Sequence, residues 1–152
     1  MSNPDTPEAQ WGTVETSFAP IHSSARMRDV DEVKHALEAG VEVDLLNGKA
    51  KNGDGGNTAL WFACQGPTCG LEVAKLLVEA GANVNLACEH GRTPLHMAAA
   101  WGQLDVVQFL VEAGARTDCP NSLGRTPLEM ARISQRVPEE RTQAVVAWLS
   151  AR

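Results

Sequence analysis

The sequence predicts an all-α solenoid in which two-helix units stack side by side and β-turn fingers join them. Three observations carry the prediction. A short signature returns along the chain. Thr93-Pro94-Leu95-His96 and Thr126-Pro127-Leu128-Glu129 begin 33 residues apart; Thr58-Ala59-Leu60-Trp61 begins 35 before the former, and Ala19-Pro20-Ile21-His22 begins 39 before that. Each signature leads into an apolar-periodic segment, so residues 71–85 lie over 104–118 at an offset of 33, and 30–44 match both. Ala-Gly closes three of these segments, at 39–40, 80–81 and 113–114. Such self-similarity marks units that cannot bury an apolar face alone and must stack to do so.

Each element has a local cause. A Thr93 hydroxyl caps a helix start, and Pro94 fits the first turn, where its missing N–H removes nothing. Leu95, Ala98 and Ala99 then form one apolar face, and the small alanines let neighbouring helices approach. Gly102 ends that helix in a left-handed conformation. Leu104, Val107, Leu110 and Val111 recur at helical spacing and predict a second helix, closed by Gly114. The polar stretch 115–124 suits an extended turn reaching the next unit. End units expose a face and must differ from the rest. The first has Arg28 at the place of Gly102, with polar Ser23 and Ser24. The last has Glu129 in place of the histidine, a longer inter-helix stretch at 133–143, and a final helix around 144–149. Trp148 and Leu149 there are expected to pack inward.

These residues resemble the ankyrin repeat family, marked by a period of about 33 and a T-P-L-H-x-A signature. The resemblance covers residues 19–152 as a single domain of four repeats, about 19–57, 58–92, 93–125 and 126–152. It implies structural roles for Thr58, Thr93, Thr126, His22 and His96, whose hydroxyls and rings hydrogen-bond within and between repeats. It also places Asn85 where eukaryotic members of the family can be hydroxylated, a position useful structurally in any case. Residues 1–18 are not repeat sequence. Thr6-Pro7-Glu8 reads as a helix start, with Trp11 and Phe18 as apolar anchors. The segment is expected to cap the first repeat; the alternative is that it lies along the binding groove until a partner displaces it.

Composition excludes several functions. The chain has 152 residues and a net charge of -6, which repels nucleic acid and anionic membrane surfaces. No apolar run is long enough to span a bilayer, and the N-terminus lacks the pattern of a secretory signal. A cytoplasmic location is expected. The four cysteines, Cys64, Cys69, Cys88 and Cys119, are irregularly spaced and form no CxxC, so reduced thiols are expected rather than a disulfide framework or zinc module. Cys88, His90 and Cys119 lack a fourth ligand for a metal. No metal and no cofactor are expected.

Two stretches depart from the period. The first finger, 44–58, is about six residues longer than the plain repeat and is rich in Gly, Asn and Lys, including Lys49 and Lys51. It has no upstream glycine for a phosphate loop and too few carboxylates for a calcium loop. A flexible contact loop is the better reading. Residues 64–70, CQGPTCG, add two residues between the helices of the second unit; Cys64 overlays Ala99 and is expected to be a small buried residue.

Stacks of this class bind through an extended face made of finger tips and first helices. Carried over position by position, Met97 faces that groove, with Ser23, Phe62 and Met130 as its equivalents. Ala100 and Trp101 join it, with Gln65 alongside and Ile133 and Ser134 after. In the fingers, Arg92 matches Asn57 and Arg125, and Leu86, Glu89 and His90 lie near a tip. Exposed tryptophan and arginine favour interface anchoring. Trp101 with Phe62, Met97 and Met130 is therefore expected to form an apolar stripe, whereas Trp61, in the histidine position, is expected to pack. The predicted function is a non-catalytic protein-binding module, monomeric alone, whose partner is another protein rather than nucleic acid or membrane. The alternative is an inhibitor or immunity-type subunit whose 44–57 loop occludes an enzyme. An enzyme is not expected, because no catalytic set can be assembled from residues the repeat leaves unused.

Overall fold

The computed structural model describes residues 20–48, 56–68 and 70–152. The expectations for residues 1–18, Lys49, Lys51 and Cys69 fall outside them. Among the described residues are eight α-helices and no strand. They are α1 (Pro20–Met27), α2 (Val30–Glu38), α3 (Ala59–Ala63), α4 (Leu71–Glu79), α5 (Pro94–Ala100), α6 (Leu104–Glu112), α7 (Pro127–Ile133) and α8 (Glu139–Ser150). First helices pack on first helices, in the order α1, α3, α5, α7. Second helices pack on second helices, in the order α2, α4, α6, α8. The result is two helical layers with the core between them.

Aliphatic side chains of both layers fill that core. Ile21, Leu60 and Leu95 enter it from the first helices, and Val33, Leu77, Leu110 and Val145 from the second. Ala25, Ala63, Ala98 and Ala99 are also buried, and their small side chains permit the close approach of the inner row. Cys64 is fully buried beside them, as its register predicts.

Caps set the helix starts. Thr58 Oγ1 accepts from the Trp61 N–H at 3.2 Å. Thr126 and Glu129 form a reciprocal box: the Thr126 N–H donates to Glu129 Oε2 at 2.9 Å and the Glu129 N–H donates to Thr126 Oγ1 at 3.4 Å. Asp29 caps α2 by accepting from the Glu32 N–H at 3.1 Å. Gly102 takes φ 63 after α5, and Arg28 takes φ 61 at the same register after α1. A left-handed arginine is unfavourable; here its guanidinium donates to the carbonyls of Arg26 and Gln65, and to that of Thr68 at 3.3 Å. The last helix contains the expected 144–149 but starts earlier. It begins at Glu139, because Pro138 starts it and two glutamates occupy its first turn, where the helix dipole favours negative charge. Leu149 is buried and Trp148 half-buried beneath Arg152, whose guanidinium lies 3.9 Å from the ring centroid.

Side chains lock the connections in series. The Asp44 carboxylate accepts from the Asn83 N–H at 3.0 and 3.1 Å. Asn85 Oδ1 accepts from the Arg116 N–H at 2.8 Å and Nδ2 donates to the Gly114 carbonyl at 3.0 Å, so Asn85 joins one finger to the next. The loop between α3 and α4 is held from several sides. Buried Gln103 donates to the carbonyls of Cys64 (3.1 Å) and Gly66 (2.6 Å), and Arg141 donates to that of Pro67 at 2.9 Å.

Candidate binding surface

The histidine of the repeat signature positions the third finger. His96 is fully buried. Its Nδ1 accepts from the Thr93 N–H at 3.0 Å and lies 2.8 Å from the Thr93 hydroxyl; its Nε2 donates to the Arg125 carbonyl at 3.0 Å. That pattern needs a neutral ring with the proton on Nε2. Burial holds its pKa below the ordinary value, against the carbonyl hydrogen bonds that raise it, and the Arg92 guanidinium adds to the depression. His22 makes the corresponding bond to the Leu45 carbonyl at 2.7 Å. Trp61 takes the histidine position in the second unit and packs, edge-on to Phe62 at 5.3 Å with the Arg92 guanidinium 5.8 Å from its centroid.

Asn121 makes the third finger rigid. Its Oδ1 accepts from the N–H groups of Leu123 (2.9 Å) and Arg125 (3.0 Å), and its own N–H donates to the Arg125 carbonyl at 2.9 Å. The Ser122 N–H donates to the His90 carbonyl at 2.9 Å and binds this finger to the one before. At the far end of α7, the Ser134 hydroxyl donates to the Ala100 carbonyl. These bonds frame a cavity of about 490 Å³ between the second and third fingers and the ends of α5 and α7. His90, Arg92, Arg125 and Arg136 supply its charge; Leu123, Met130 and Ile133 supply its apolar surface. Among the described side chains no carboxylate lines it. Leu123 is 74 % exposed and Ile133 50 %, so the rim offers unburied apolar area. The Arg136 guanidinium lies 5.3 Å from the Trp101 ring centroid.

The expected apolar stripe is corrected. Phe62 is 5 % exposed, Met97 2 % and Ala100 2 %, so all three belong to the interior. Phe62 sits edge-on to both Trp61 and His22, the latter at 5.9 Å. Close stacking of α1, α3, α5 and α7 covers side chains in the middle of the inner row. Trp101 is half-buried, and its indole N–H is enclosed with no partner among the described residues. Met130 is half-buried, with its sulfur 3.5 Å from Asn121 Nδ2. Arg92, Arg125, His90, Ala100, Met130 and Ile133 meet at the cavity; Gln65 and Leu86 are half-buried and do not line it. The backbone of Glu89 opens the short 3₁₀ turn Glu89–Gly91.

Sequence reasoning missed Asn121, Leu123 and Arg136. The register held a signal for two of them: residues 121–125 overlay 88–92, which makes Leu123 the counterpart of His90 and places Asn121 two residues before a tip. Arg136 has no counterpart in the other repeats. Buried Cys88 lies 3.8 Å from the Thr58 hydroxyl, and burial pushes its thiol above the usual range. Among the described residues no cluster of His, Cys, Asp and Glu is placed to hold a metal ion, and no helix is long and apolar enough to cross a membrane.

A family model described as ankyrin repeats (3 copies) matches residues 21–122 and 72–138. The human ankyrin repeat and SOCS box protein 16 is 40% identical over 85 residues, which is 55% of this chain and 17% of that protein. The chain therefore spans about a sixth of that relative's length.

Proposed function

Because the chain belongs to the ankyrin repeat family, whose repeats generally mediate protein–protein interaction, we propose that it is a non-catalytic module that holds a partner protein on the face built from its fingers and first helices. The carrying observation is the cavity beside α7, rimmed by exposed Leu123 and Ile133. Interface cores favour this mix of exposed apolar rim, half-buried tryptophan and arginine. Arg92, Arg125, Met130, Ile133 and Trp101 are the contact residues of this reading, joined by Leu123 and Arg136. Phe62, Met97 and Ala100 support the face from below. The polar groups of His96, Thr93 and Asn121 are already used in holding the fingers.

Affinity capture with wild type in parallel with a Leu123→Glu, Ile133→Glu double variant tests it. Both positions are exposed, so the variant is expected to keep its helical spectrum. A partner retained by wild type and lost by the variant is the expected result. Equal capture by both would move contact away from this cavity.

A further inference from the structure

We infer that the partner presents an acidic segment with an apolar side chain, and that the cavity between the last two fingers receives it. The inference rests on the interaction-module reading and adds the chemistry of what is bound. Its basis is a separation of charge. Each second helix, α2, α4, α6 and α8, carries two or more carboxylates, whereas α1, α3 and α5 carry none and α7 carries only Glu129, whose carboxylate accepts from the Thr126 N–H. On a chain of net charge -6, the cavity is nonetheless lined by Arg92, Arg125 and Arg136, with no carboxylate among the described side chains.

The scaffold positions this charge. The Arg125 backbone is fixed twice, by His96 through its carbonyl and by Asn121 through its N–H. The Arg136 guanidinium lies over the Trp101 ring, and an arginine on an aromatic face can still offer its N–H donors to an acceptor. Arginine in this setting matches carboxylates, with which it makes charge-assisted and often bidentate hydrogen bonds. Leu123 and Ile133 flank the same opening and suit an aliphatic or aromatic side chain. A volume of about 490 Å³ accommodates a few side chains, not a folded domain. A long polyanion such as nucleic acid, or an anionic membrane, meets the field of the whole acidic molecule; a short peptide meets chiefly the local arginines, because salt screens the remainder beyond about 8–10 Å.

Selection of a displayed random peptide library of about a dozen variable positions against the full chain tests the inference. The expected pool is enriched in Asp or Glu beside Leu, Ile, Phe or Met. The best peptide is expected to lose at least about tenfold in affinity in an Arg125→Glu, Arg136→Glu variant and to weaken with added salt. Arg125→Gln, Arg136→Gln is a milder pair should the reversal unfold the chain, and is expected to lose affinity in the same direction. Arg116→Glu, on an exposed arginine outside the cavity, is expected to bind as wild type. A pool enriched in Lys or Arg, or an acidic pool bound equally by wild type and both pairs, would overturn this inference and leave the module reading standing. A pool with no enrichment would overturn the module reading as well. Tighter binding of poly(dA) or phosphatidylserine vesicles than of any selected peptide, lost in the Arg125, Arg136 variants, would assign the cavity to another class of anion and overturn the peptide.

Discussion

His96 and Arg125 are bonded side chain to backbone across 29 residues: the imidazole Nε2 donates to the Arg125 carbonyl at 3.0 Å, while Nδ1 faces Thr93. One buried ring thus fixes both the start of α5 and the finger that carries a cavity arginine. His96→Ala removes both links, leaves the Thr93 N–H and the Arg125 carbonyl without this partner, and opens a void. The expected loss is about 2–4 kcal/mol, read from urea unfolding.

The same ring predicts a pH response. Its pKa in the folded chain lies below the ordinary 6.5. The unfolded chain therefore takes up this proton first as pH falls, and protonation favours unfolding. The contribution is intact above about pH 7, declines as pH drops through 6.5, and levels off once pH passes below the folded pKa. Unfolding midpoints between pH 7.5 and about 5 check it. His96→Asn is expected to flatten that part of the curve, whereas an unchanged slope would assign the response to other groups.

Phe62 and Ile133 are expected to separate core from surface. Phe62→Ala should destabilise by about 3–5 kcal/mol, because its ring is packed between Trp61 and His22. Ile133→Ala should stay within about 0.5 kcal/mol in the free chain. Chemical denaturation of both variants checks the pair, and similar losses would contradict the burial described above.

Gly102→Ala is expected to destabilise by more than about 1 kcal/mol. The residue has φ 63, and an added Cβ would lie 2.8 Å from the Arg141 Cβ and 3.1 Å from its carbonyl carbon. Thermal melts should show a clear fall. Gly114→Ala, where φ is 101 with open space around it, isolates the backbone contribution.

The repeat frame was legible because it is written in local chemistry: Thr-Pro starts, alanines at the close contacts and glycine ends. The places of Cys64 and Gly102 follow from register, and the structural role of His96 from the family resemblance. The exposure of Phe62 and Met97 does not. A repeat register gives the direction of a side chain from its helix, but not how closely the next unit closes over it. The cavity was half legible. Arg92 and Arg125 sit in the repeated Gly-Arg-Thr-Pro, but Arg136 comes from a stretch with no counterpart, and its place depends on where α8 begins. Asn121 was missed because its side chain works by accepting backbone N–H groups within a finger, which polar composition does not reveal.

Solenoids ordinarily touch only adjacent units, so their ends can peel away one at a time. The hydrogen bond from Arg141 to Pro67 skips a unit, and it reaches the loop that Gln103 and Arg28 also grip. Loosening the last helix pair would therefore be felt two units away, and the stack behaves less like a zipper than like an arch with its keystone in the second repeat.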